Sequence, residues 1–140
     1  MKYVVFVLTL IGQFIVGYLF AFITLFTVGD LLGIGKSATI PDPLWAEVLW
    51  YAAISVALAI GMWLVGTGIN RLRKQPAHGL WHFLGAAITA GLGWAWLESA
   101  TIGQTRNPLL PIIAIFVGYY LVDIIGMFNR SGNASEVPAE

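Results

Sequence analysis

Apolar residues fall in four long runs, 4–28, 44–69, 79–102 and 109–128, separated by short polar segments. Each run approaches or exceeds the roughly 20 residues that an α-helix needs to cross the hydrocarbon core of a bilayer. A water-soluble chain of this size could not hide so many apolar helical faces. The pattern predicts an all-α membrane protein, with four transmembrane helices in an antiparallel bundle spanning 1–130 and a polar, disordered tail over 131–140. The first run is too long for a signal-peptide core and no clean small-x-small cleavage site follows it, so it is read as a retained span.

Punctuation supports these boundaries. Asp42-Pro43 and Asn107-Pro108 each set a capping side chain before a proline, which predicts starts for the second and fourth helices. Pro76 interrupts the connection before the third. The segment 29–42, the only sizeable connection, carries Leu31, Leu32 and Ile34 among glycines and is expected to lie at the outer interface or dip shallowly against the bundle. Trp45, Trp50, Trp94 and Trp96 fall toward one interface and Trp81 toward the other, the levels that indole rings prefer.

Charge then orients the bundle. Lys2, Arg130 and the cluster Arg71, Arg73 and Lys74 share one side, against Lys36 and Arg106 on the other. Short loops rich in Lys and Arg stay inside, so both termini and the 70–78 loop are predicted to be cytoplasmic. The expected location is a bacterial or archaeal inner (plasma) membrane. That orientation makes the sequon Asn133-Ala134-Ser135 inert.

Composition narrows the function classes. A chain of 140 residues leaves no room for a soluble catalytic module beside the spans. Charged residues make up 10%, net charge is +0, and there is no cysteine, so nothing points to nucleic acid, disulfides or thiolate chemistry. No Ser–His–acid or paired-carboxylate arrangement falls at matching depth, and no enzyme activity is expected. The expected partners are the lipid bilayer and either other membrane subunits or further copies of this chain.

In lipid, helices associate through small residues that let backbones approach. Ala53, Ala57 and Gly61 provide such a face on the second helix, and Ala87 and Gly91 on the third, with Gly85, Ala86, Ala90 and Gly93 nearby. The first helix carries Gly17 and Ala21.

Polar groups inside the spans are costly and are the first candidates for function. Asp123 lies roughly 7–8 Å inside the inner end of the fourth helix, about five residues at the helical rise. His82 enters the third helix at a comparable depth, so the two could form a hydrogen-bonded pair that relays protons, coordinates a cation or is structural. Asp123 reaching Arg71 or Arg73 is the other structural option. Gln13, near the middle of the first helix, cannot titrate and is expected to hydrogen-bond a neighbouring helix or a substrate. Glu98 and Arg106 are placed for an outer-side ion pair, of the kind that contributes little. His78 and His82 are four apart and share a helix face, making them weak candidates for a metal; ligation of a haem or pigment by either is a further option, though no cofactor is predicted.

Two functions compete. The preferred one is a non-catalytic accessory or scaffolding subunit packing within a larger membrane complex, because the ionisable groups sit near the ends of the spans. The alternative is a small homo-oligomeric transporter, or a holin-like pore former, using Asp123, His82, Gln13 and Glu98. Size and span count are similar to those of the small multidrug transporters, but that family's first-helix glutamate is absent and Gln13 stands at the matching depth.

Overall fold

A computed structural model describes residues 2–34, 43–99 and 109–133, without side chains for Lys2, Glu98 and 126–133. The described chain is helical, in the order α1 (Lys2–Leu32), α2 (Leu44–Leu72), α3 (Leu80–Glu98) and α4 (Leu109–Asn133). The first three are long and apolar enough to cross a membrane; the apolar part of α4, Leu109–Ile125, is shorter. At 1.5 Å per residue α1 is about 46 Å long and α3 about 28 Å, so α1 outruns a ~30 Å hydrocarbon core while α3 barely fills it.

The ends of the elements differ in places from the sequence reading. The connection expected to begin at Gly29 begins later, because α1 continues to Leu32. Trp50 accounts for this: its indole lies over the bare backbone of Gly29 and its Nε1 donates to the Leu25 carbonyl at 3.0 Å. Gly33 then ends the helix with φ 73°, and the Ile34 amide closes back on the Gly29 carbonyl at 3.0 Å. That is the left-handed glycine termination that satisfies the orphan carbonyls of a last turn. The cap of α2 is Pro43, with no side-chain hydrogen bond, rather than Asp42, which lies outside the described residues together with Asn107-Pro108. α3 ends at Glu98, before the expected 102. The backbone of α4 stays helical to Asn133, so the first residues of the expected tail are helix; 134–140 lie outside the described residues.

Consecutive helices pack on each other: α1 on α2, α2 on α3, and α3 on α4. Among the described residues, the backbones of α1 and α4 do not come together. The core gathers Ile54, Leu58, Ala59 and Met62 of α2 with Ala86 and Ala90 of α3 and Ile115 and Tyr119 of α4, joined by Ala21 of α1. Outward faces are apolar too: Phe22, Phe26, Ile113 and Val117 are exposed, as suits contact with lipid.

Glycine pairs make the closest approaches. A Cβ added to Gly61 would lie 2.7 Å from the Gly17 Cα and 2.8 Å from the Val16 carbonyl oxygen. One added to Gly85 would land on the Gly118 carbonyl. Of the small residues picked from sequence, Ala57 and Gly61 are buried and Ala53 is half-buried. On α3 the emphasis moves. Ala87 and Gly91 are half-buried, and a Cβ at Gly91 would meet only Ser55 Oγ at an ordinary 3.7 Å, so Gly85 and Gly93 carry the tight face against α4.

Gly61→Ala must move backbone, and we expect it to cost about 1–3 kcal/mol as an overpacked contact. Gly68, with nothing within 4 Å of an added Cβ, is the control, and its alanine variant should stay within about 0.5 kcal/mol of the parent. Unfolding of the purified protein by SDS in mixed micelles measures both.

Candidate functional site

Local structure brings a loop histidine into the bundle. At the end of α2 the amides of Arg73, Lys74 and Gln75 close on the Ile69, Arg71 and Asn70 carbonyls, with Lys74 in the left-handed region at φ 56°. The chain therefore doubles back over the last turns of α2. Asn70 Nδ2 then donates to the Pro76 carbonyl at 3.1 Å, and Trp63 Nε1 donates to the His78 carbonyl at 2.8 Å. These two bonds pin the loop so that the His78 ring faces Gly66. A Cβ on Gly66 would meet Tyr119 Oη at 2.5 Å, His78 Nδ1 at 2.6 Å and Gln13 Nε2 at 2.8 Å. The missing side chain is what gives three polar groups from three parts of the chain room to converge.

Around that point runs a hydrogen-bond network. Gln13 Nε2 donates to the Met62 carbonyl at 3.2 Å, and Tyr120 Oη donates to Gln13 Oε1 at 2.8 Å. Tyr119 Oη contacts His78 Nδ1 at 2.5 Å and the Met62 carbonyl at 3.4 Å. Tyr119 has one proton and a carbonyl can only accept. With both contacts bonded, His78 therefore donates through Nδ1–H to Tyr119, leaving its Nε2 lone pair free. Burial holds the His78 ring below the ordinary imidazole value; His82 adds to this and Asp123 opposes it. His78 is thus a neutral ring at neutral pH.

His82 stacks on His78, with ring centroids 4.4 Å apart and planes within 5°. It is only 7% exposed, and its Nε2 lies 3.2 Å from Asp123 Oδ1. That approach fails the geometry of a hydrogen bond, and neither ring nitrogen of His82 has a bonded partner. A buried polar group in that condition costs about 1–3 kcal/mol. Asp123 is freer, its side chain 50% exposed. Donor atoms of His78, His82 and Asp123 all lie within 4.8 Å of one another.

These groups face a cleft of about 860 Å³ between α1 and α4, floored by the loop carrying Gln75 to His78. Phe6, Leu10 and Phe116 form apolar wall, and Arg73, Tyr120 and Asp123 are among its charged and polar lining. A hydrogen bond from Tyr120 to Gln13 crosses from α4 to α1, beside a Phe6–Tyr120 ring contact at 6.0 Å.

Of the residues singled out in the sequence, the fold gathers Asp123, His82, His78 and Gln13 into one site, with Arg73 on its rim. Arg71 and Lys74 are exposed and do not line the cleft. The Glu98 side chain and Arg106 lie outside the described residues, as does any ion pair between them. Sequence reasoning passed over Tyr119, Tyr120 and Gly66. The four-residue spacing of Tyr119 and Asp123 was the available signal for the first, since it puts them on one helix face. Gly66 carried none, because its role is to be empty. No protein-family model, no curated protein and no solved structure matches this chain.

Tyr120→Phe should cost about 0.6–1.7 kcal/mol, the range of interhelical hydrogen bonds in membranes, with most of it lost in a Gln13→Leu background. Gly66→Ala should cost more than Tyr120→Phe, because one methyl group displaces Gln13, His78 and Tyr119 together. The same SDS titration, run as a double-mutant cycle, reads these effects.

Proposed function

We propose that this protein is a small membrane transporter that binds its solute in the cleft between α1 and α4, at the cluster of Asp123, His82, His78 and Tyr120, with Gln13 bonded behind Tyr120. The observation that carries this reading is convergence: polar groups from three helices and a loop meet at one cleft, although each alone is expensive to place in a membrane. An accessory subunit has no need of a buried histidine that lines a cavity with neither ring nitrogen hydrogen-bonded. The concentration of costly groups at one place therefore favours binding over scaffolding.

Four helices are too few to enclose a pathway, so the transporting unit is a homo-oligomer in which a second copy completes the wall that α1 and α4 leave open. The helices run antiparallel through a plasma-type membrane. The basic 70–78 loop is on the cytoplasmic side, which makes the cleft cytoplasm-facing. Asp123, half-exposed and nearest the loop, would meet an entering solute first, and His82 lies behind it.

Solute flux into liposomes containing only the purified protein is the test. We expect flux that falls at least tenfold in Asp123→Asn, a half-exposed position where the fold should survive. No flux for any solute tried, together with co-purification of fixed stoichiometric partner chains from native membranes, would return the protein to the accessory-subunit reading.

A further inference from the structure

We infer that His78, His82 and Asp123 form a binding site for a divalent transition-metal cation. This names the class of cargo for the transport reading and rests on that reading for the cation's movement, but not for its binding.

The donor set is the first reason. Two imidazoles and one carboxylate suit Zn²⁺, Fe²⁺, Co²⁺ and their first-row neighbours, whereas Mg²⁺ and Ca²⁺ prefer all-oxygen shells. Three protein ligands leave further positions open, and here the open side is the cleft.

Geometry is the second. His82 Nε2 and Asp123 Oδ1 are 3.2 Å apart, close to the roughly 3.3–3.5 Å that separates donors on a tetrahedral metal with bonds of about 2.0–2.1 Å. One ligand atom from each residue lies within 4.8 Å of the other two, so the set has to draw closer to hold one ion. The half-exposed Asp123 side chain can supply most of that closure by turning toward the two stacked rings.

The third reason is what surrounds the ligands. Metal-bound histidines characteristically donate their second nitrogen to an oxygen, which fixes ring orientation and tautomer. His78 does so already, through Nδ1 to Tyr119, and Tyr119 is held in turn by the Met62 carbonyl. His82 is buried, lines the cleft, and has both ring nitrogens without a hydrogen-bond partner. A cation at this position would satisfy one of them and replace the off-axis contact with Asp123.

Isothermal titration of the full-length protein in detergent, freed of metal, with Zn²⁺, Co²⁺, Mg²⁺ and Ca²⁺ in turn tests the site. We expect one Zn²⁺ or Co²⁺ per chain and no uptake of Mg²⁺ or Ca²⁺, with a visible cobalt spectrum. Asp123→Asn and His82→Gln should each weaken Zn²⁺ binding at least tenfold. Tyr119→Phe should weaken it roughly 10–100-fold at unchanged stoichiometry, as loss of an orienting partner does. Circular dichroism and gel filtration establish that each variant is folded. No Zn²⁺ binding by the parent, or equal binding in folded Asp123→Asn and His82→Gln, would overturn the metal site. Liposome flux separates the two proposals. Transport of a non-metal solute by a protein that binds no Zn²⁺ removes the metal site alone. Tight Zn²⁺ binding without flux of any solute keeps the site and removes transport.

Discussion

A leucine gains almost nothing by leaving lipid for the surface of a neighbouring helix, so these helices are held where their backbones can touch. The structure depends on that constraint. Gly17 against Gly61 joins α1 to α2, and Gly85 against Gly118 joins α3 to α4. At both points the absence of a side chain permits an approach that any Cβ would prevent. The remaining seam, between α2 and α3, is filled by small and medium side chains, among them Ala59, Ala86 and Ala90.

The same device, a glycine used as a vacancy, builds the polar site. Gly66 makes room on α2 for Gln13, Tyr119 and His78, and the satisfied part of the network hangs on the Met62 carbonyl beside it. Satisfaction is uneven. Gln13 and both tyrosines are bonded, while the His82 nitrogens are not. A membrane protein has no water in its hydrocarbon core to cover such an omission. The cost therefore falls chiefly on His82 at the head of a cleft, with the buried Thr67 hydroxyl also lacking a bonded partner.

Much of the architecture was legible in the sequence, because hydrophobic run length is a strong signal. The helices lie close to where the apolar runs put them, and Asp123 and His82 come together as depth along neighbouring helices suggested. Ends were harder to read. Trp50 carries α1 past Gly29 by a contact from a different helix, which no local rule contains. His78 was visible only as the neighbour of His82 by spacing. Its entry into the bundle depends on a turn closed by Lys74 in an unusual conformation and on bonds from Asn70 and Trp63. Tyr120 and Gln13 are separated by most of the chain, and their meeting is a property of packing alone.

The Tyr120–Gln13 bond is also a polar tie across the front of the cleft, where no backbone contact between α1 and α4 backs it up among the described residues. Side chains alone close this front, the bond together with the Phe6–Tyr120 ring contact beside it. The front wall is then a door that is latched rather than zipped. The two glycine-zipped pairs act as its jambs, and the α2–α3 seam as its hinge post.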